Sequence, residues 1–484
     1  GSARETPQLS DAANEIVARW PSYPALRSQR AVEIFGRVKP ELLARLGRAA
    51  NPEEALVHID GFLRGLPAGV QLFAMFDANP QLIDLIVDIA STAPELATYL
   101  SRHSGVFDAV IGGGFFADWP GVEALTSALA EVLAEEDDYE ARLNATRRWR
   151  NEWQFRVGVH HLRGLITGDE AGRSYADIAD AVLAALWEPV VEEFATKHGP
   201  PPGRGAMVLG MGSLGARALT VTSDLDLIVI YDPAGVEMSD GRRPLASRAY
   251  YARLTQAFVT ALSAPMGDGR LYEVDMRLRP SGRQGPVATS LASFQSYQST
   301  DAWTWEHLAL TRARAVAGEA DLGAEVEVFR RDLLAKGRDG AKTRSDVADM
   351  RARLAEAKPV GGVWDVKLGA GRMQDIALLA QTGALLAGTP DRGTLDQIAA
   401  GAGALGLSKA EVRTLGDAQT LFWRVQAASR LMTAGMFDPD EVGTGGRAFL
   451  LRETEAADIA ALEAKVSKAA ADAAAIIDRA LAAK

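Results

Sequence analysis

GMGSLGARALTVTSDLDLIVIYD occupies residues 210–232, and the rest of the chain is read outward from it. It opens with G-x-G-x-x-G at Gly210, Gly212 and Gly215 and closes on Asp232 at the end of an apolar run. That is nearly the fingerprint of a dinucleotide-binding βαβ unit. Two features weigh against that reading. Only residues 216–222 separate Gly215 from Ser223, which is too little for the crossover helix of a unit about 30 residues long. Asp224 and Asp226 then stand at the head of the next strand, where a central parallel strand should be a continuous apolar run. Buried carboxylates there are costly unless something neutralises them.

The spacing suggests what that partner is. Residues i and i+2 of a strand face the same way, so Asp224 and Asp226 converge on one side while Leu225 and Leu227 point to the other. Two carboxylates together suit a hard cation such as Mg²⁺; the plain alternative is a pair of acids capping a turn. LYEVDMRLRP is expected to add a strand over residues 271–278. By the same alternation Glu273, Asp275, Arg277 and Arg279 share its charged face. That face is either a solvated edge or the wall of a cleft where Asp275 joins the aspartate pair and the arginines meet phosphate, for which guanidinium is well shaped. Arg277 and Arg279 could equally serve salt bridges. At Gly212 and Ser213 a strand turns into a helix, and N–H groups at a helix start hold phosphate. The sequence thus gives a G-S turn, then D-x-D on the next strand, then an acid on a later one. This order matches metal-dependent nucleotidyl transfer, in which cations clamp a triphosphate and activate the attacking hydroxyl.

Around this centre the pattern is helical. The apolar stripes Leu82, Leu85, Ile86, Ile89 and Leu125, Leu129, Leu133 recur at helix spacing. The breaker at residues 199–205 precedes short strands at 206–209 and 225–231. A helix follows over 245–262, with Tyr251, Leu254, Phe258 and Leu262 at core spacing. From about residue 345 helices return, ending in an alanine-rich stretch over 456–483. The chain has 484 residues, enough for several domains, with 48% apolar and 24% charged residues. Its net charge of −11 argues against a general nucleic-acid or anionic-membrane binder. With no cysteine there are no disulfides, thiolate metal sites or cysteine nucleophiles, in keeping with a cytoplasmic protein. The six histidines show no metal-binding pattern. Gly1-Ser2 reads as foreign to the natural chain, which is expected to be a piece of a longer protein.

The chain resembles the glutamine synthetase adenylyltransferase family, and within it the polymerase-β-type nucleotidyltransferase domain. The resemblance rests on residues 210–232 and 271–298, on AWTWEHLALTRARAVAGEADL at 302–322 and on WDVKLGAGRMQDIALLAQ at 364–381. LPAGVQLFAMFDANPQLIDLIVDI at 66–89 is similar to the region between the family's two catalytic domains. The chain departs from the family at Ser213, where lysine is frequent, at Ala216, where a glycine is frequent, and at Ala377, where glutamate commonly follows the D-I of Asp375-Ile376.

The resemblance implies an α+β fold in which a small mixed sheet is flanked by helical regions. Residues 1–165 would be a helical linker or regulatory region, 166–335 the catalytic domain and 336–484 a C-terminal helical domain. It implies the C-terminal, adenylylating half of the family: transfer of AMP from ATP to a tyrosine of glutamine synthetase, with release of pyrophosphate. Asp224, Asp226 and Asp275 would be catalytic and would hold two Mg²⁺ ions, while Gly212, Ser213, Arg277 and Arg279 would hold ATP. Trp305, Glu306, Arg312 and Arg314 are expected on one helix bordering the nucleotide, although Trp305 with Leu308 also fits a core and Glu306 a partner for arginine. Lys367 and Asp375 flank the glycine turn at 369–371 and are weaker candidates. Glutamine and the PII signalling protein would be regulators. Two alternatives remain at this stage: phosphorolytic removal of AMP, and an impaired module that binds glutamine or PII.

Overall fold

The structure is a computed structural model that describes residues 9–357 and 361–483. The chain divides into two compact units, each assembled from three stretches. One gathers the residues up to Asp118 with Phe155–Gly168 and Ala427–Leu462; the other gathers Trp119–Gln154, Asp169–Gln426 and the stretch from Glu463 onward.

The first unit is helical throughout its described residues. Local chemistry starts its helices. The side chains of Ser10, Ser28 and Asn51 accept the N–H of Ala13, Ala31 and Glu54, satisfying donors that a helix start leaves open. Within helix Gln81–Thr92 the expected stripe of Leu82, Leu85, Ile86 and Ile89 is buried. The stripe of Leu125, Leu129 and Leu133 is likewise buried, in the second unit.

The second unit holds the sheet: β1 (Gly205–Met211), β2 (Leu225–Asp232), β3 (Val274–Asp275), β4 (Ala288–Ser290) and β5 (Arg314–Gly318). β1 and β2 run antiparallel, from Gly205 opposite Asp232 to Met211 opposite Asp226. β3 and β4 pair in parallel with β2, and β5 pairs antiparallel with β1. The antiparallel β1–β2 pair rules out a dinucleotide-binding βαβ unit, whose strands are parallel. Met207, Leu209 and Met211 of β1 join Ile228 and Ile230 of β2 in one core cluster, together with Leu291, Phe294 and Leu310 from the following helices. Tyr251, Leu254, Phe258 and Leu262 of helix Ser247–Ser263 are all buried, as their spacing predicts.

Three local expectations are corrected. The strand expected over residues 271–278 shrinks to Val274–Asp275. Its charges are satisfied along the chain, Glu273 by Arg270 and Asp275 by Arg277, so their alternation does not record one sheet face. After Asp275 the backbone turns, with the Arg279 N–H donating to the Met276 carbonyl. Arg312 and Arg314 do not lie on a helix with Trp305: helix Thr304–Leu310 ends first, and Arg314 begins β5. Helices also return well before residue 345, with Leu291–Thr300, Thr304–Leu310 and Ala320–Ala335.

Candidate active site

Gly212 sits directly after β1 in the left-handed region, at φ 52°, and opens the single helical turn Gly212–Gly215. A Cβ there would lie 2.5 Å from Asp226 Oδ2, so only glycine lets this turn and the Asp226 carboxylate come together. At Gly215 a Cβ would meet the Arg312 carbonyl at 1.7 Å. The glycine spacing therefore serves close backbone approach around the D-x-D segment. Ser213 is exposed in the same turn.

Asp226 lies opposite Met211 on one side and beside Asp275 of β3 on the other. Its carboxyl is pushed up to about 6, first by burial and then by the negative charges of Asp275 and Asp224, while Lys367 and Arg277 pull the other way. Burial and like charge both disfavour the ionised form. Asp275 behaves oppositely. The Arg277 guanidinium holds it below the usual carboxylate range through Nε–H bonds of 3.0 Å to Oδ1 and 2.9 Å to Oδ2 and an Nη2 bond of 2.6 Å to Oδ2. The Arg277 backbone N–H adds a bond of 2.9 Å to Oδ1. Asp224 precedes β2 and is exposed.

The fold thus brings Gly212, Asp224, Asp226, Asp275 and Arg277 to one place and adds Lys367, whose charge acts on Asp226 from a loop far along the chain. Arg279 is spent on the loop after Asp275, donating to the carbonyls of Gly285, Met276 and Arg283 at 3.2, 2.9 and 3.3 Å. Arg314 pairs with Asp180 at 2.6 Å, Arg312 donates to Gln397 and Thr394, and Asp375 takes Arg351 at 2.7 Å. Trp305 is not core but 45% exposed. Glu306 is buried, but its partners are not arginines: it accepts from Tyr297 Oη, the Ser281 N–H and the Trp303 N–H at 2.7, 3.1 and 3.0 Å. It thereby fastens the loop that follows Asp275 and Arg277. No capping-box sequence marks this clamp, because Trp303 offers no side-chain oxygen to the helix start.

Among the described residues no three carboxylate or imidazole side chains are close enough together to form a ready metal cage. The donor set nevertheless suits a hard dication: an oxygen-only group in which Asp226 is under-compensated by its surroundings. Asp275 would have to trade Arg277 for the ion.

A family profile described as Glutamate-ammonia ligase adenylyltransferase matches residues 83–328, just over half of the chain. Curated relatives named bifunctional glutamine synthetase adenylyltransferase/adenylyl-removing enzyme align along most of the chain. The Mesorhizobium japonicum protein is 40% identical over 92% of this chain and 46% of its own length. The Rhizobium meliloti protein is 41% identical over 95% and 47%, and the Brucella melitensis protein 40% identical over 91% and 45%. The chain spans about half the length of these relatives.

Proposed function

This chain belongs to the glutamate–ammonia ligase adenylyltransferase family, and from that premise we propose that it transfers AMP from ATP to a tyrosine hydroxyl of glutamine synthetase. The observation that carries the reading is the half-buried Asp226 carboxylate, pressed between a glycine turn and two further aspartates and short of positive charge. Asp226 would find its missing positive charge in the dication that accompanies a triphosphate. In the reaction the phenolic oxygen attacks the α-phosphorus as its proton passes to solvent, the bond to the bridging β-phosphate oxygen breaks, and pyrophosphate leaves. Gly212 and Ser213 would cradle the β- and γ-phosphates through backbone N–H groups and the exposed hydroxyl. Arg277, with its side chain 61% exposed, can swing from Asp275 to the phosphates.

Asp224, Asp226 and Asp275 would hold Mg²⁺, whose contribution would be to neutralise the triphosphate and acidify the attacking hydroxyl. A phenol titrates near 10, and Asp275, held low by Arg277, is a weak proton acceptor on its own.

A polymerase-β-like assignment rests on the same ingredients: a mixed sheet, a G-S turn after β1 and D-x-D at the start of β2. Residues 166–335 would form the catalytic segment, with helical regions on either side. Glutamine and PII are proposed as regulators and the cytoplasm as the location; no described helix is long and apolar enough to cross a membrane.

The test uses α-labelled ATP, Mg²⁺ and unmodified glutamine synthetase, with Asp226→Asn alongside. Label on the synthetase that disappears in the variant is the expected result. Phosphate-dependent stripping of AMP from modified synthetase, without forward labelling, would replace this reading by the reverse activity.

A further inference from the structure

Helix Thr304–Leu310 is joined to the catalytic edge of the sheet through one carboxylate. Glu306 accepts the Ser281 N–H at 3.1 Å and the Trp303 N–H at 3.0 Å, so these two backbone positions lie side by side. The loop then folds back on Arg277. The Gly282 N–H donates to the Arg279 carbonyl at 2.8 Å, and a Cβ at Gly282 would lie 3.6 Å from the Arg277 carbonyl. Arg277 in turn holds Asp275 at 2.6 Å. A continuous series of contacts therefore runs from the aspartates to Trp303.

Trp303 is 66% exposed and Trp305 45%. Of the chain's nine tryptophans only these two are exposed; the rest are buried or half-buried. Neither indole has a hydrogen bond, ring pair or cation–π partner among the described residues. Two such rings left in water forgo the burial that tryptophan ordinarily gains. The rim around them carries free charge of both signs. Arg283, two residues after Ser281, and Asp301, two residues before Trp303, are exposed, and neither side chain has an ion pair or hydrogen bond among the described residues. Asp346, by contrast, is taken by Thr304 Oγ1 at 2.6 Å and Lys342 at 3.0 Å. Aromatic rings within a charged margin are the composition of a protein-binding patch. A small-molecule site is concave and encloses its ligand, whereas rings standing this far into solvent suit a broad partner.

We propose that Trp303 and Trp305 seat the protein acceptor. The segment around its reactive tyrosine lies across the two rings, with apolar or aromatic side chains against the indoles, an acidic residue toward Arg283 and a basic one toward Asp301. The inference rests on the reading of the chain as an adenylyltransferase of glutamine synthetase. The acceptor must bring its hydroxyl to the aspartates, and Glu306 holds Trp303 against the loop that follows Arg277, so a segment on the rings is delivered to the site. Free charges of opposite sign at the margin fix the direction in which it lies.

The first measurement is hydroxyl-radical footprinting of the parent chain, read by mass spectrometry, with unmodified glutamine synthetase alone and with Mg²⁺–ATP alone. Oxidation of Trp303 and Trp305 should fall with the synthetase and stay unchanged with the nucleotide, a readout that depends on no variant. The second is steady-state label transfer. Trp303→Ala keeps the backbone N–H on Glu306, so the loop stays fastened. It should raise KM for the synthetase about tenfold, with kcat and the KM for ATP unchanged, and Trp303→Ala/Trp305→Ala should raise it further. Arg283→Glu should also raise KM for the synthetase, by less at high salt than at low. No protection by the synthetase, protection by Mg²⁺–ATP alone, an unchanged KM for the synthetase in the double variant, or a shift confined to the KM for ATP would each overturn the proposal. Protection of both rings by the synthetase without any label transfer would overturn the adenylyltransferase reading and support the docking surface.

Discussion

Gly212 and Asp226 carry the most at the scale of single residues. Gly212→Ala must place a methyl 2.5 Å from Asp226 Oδ2 in a left-handed backbone. The expected outcome is loss of label transfer of a hundredfold or more, about 3 kcal/mol in the transition state, in a chain whose melting still reports a fold. Asp226 makes a pH prediction. Its carboxyl titrates at about 6 when folded against an ordinary 3.8, so between those values the folded state holds more protons than the unfolded one. Stability therefore falls as pH rises through this window. Asp226→Asn should make the cation-free protein more stable than the parent at pH 7, by at most ~3 kcal/mol, and the gain should vanish near pH 4. Urea unfolding at the two pH values, in chelator, measures both. A variant less stable than its parent at pH 7 would contradict the charge balance described for this site.

At the scale of elements, the two-residue strand β3 depends on a clamp outside itself. Glu306, on helix Thr304–Leu310, accepts bonds from Ser281, Trp303 and Tyr297. It holds the loop through which Arg277 and Arg279 are presented. Ser281 adopts a left-handed backbone, φ 60°, with its N–H on this carboxylate. Removing the acceptor leaves three part-buried donors without their partner. Glu306→Ala should cost about 1–3 kcal/mol in unfolding free energy, while Glu306→Gln, which keeps a carbonyl oxygen, should cost less, about 0.5–1 kcal/mol. Denaturant unfolding of the pair checks the difference; equal effects would mean that the loop does not hang on Glu306.

At the scale of the molecule, sequence-distant segments are stitched by buried arginines bonded to backbone oxygens rather than to carboxylates. Arg147 is fully buried and donates to the carbonyls of Gly269, Leu143, Ala261 and Ala264 at 2.6, 3.0, 2.9 and 2.8 Å. It ties helix Tyr139–Leu162 to the end of helix Ser247–Ser263 and to the turn leading toward β3. Arg147→Met keeps the packing stem but leaves those oxygens without their donor. We expect a loss of about 3 kcal/mol, read as a lower melting temperature with transfer chemistry per folded molecule unchanged.

Periodicity and local chemistry were enough for much of this protein. The stripes at Leu82–Ile89 and Leu125–Leu133 and the helix carrying Tyr251 and Phe258 follow from period, because each buries one face of a regular element, while the strands on either side of the glycine turn follow from short apolar runs buried on both faces. The short connection after Gly215 already argued against a dinucleotide fold. The sequence also put Gly212, Asp224, Asp226 and Asp275 in one site, because spacing along neighbouring strands converges side chains. It failed where charges are satisfied by near neighbours. The alternation over residues 271–278 imitates a strand face, although Arg270 and Arg277 neutralise Glu273 and Asp275 locally. Only the tertiary structure decided that Lys367 acts on Asp226, that Arg312 and Arg314 are bound elsewhere, and that Glu306 serves a loop. Each depends on a partner tens of residues or more away. No local pattern encodes such pairings, since they arise from how the elements stack around a shared core.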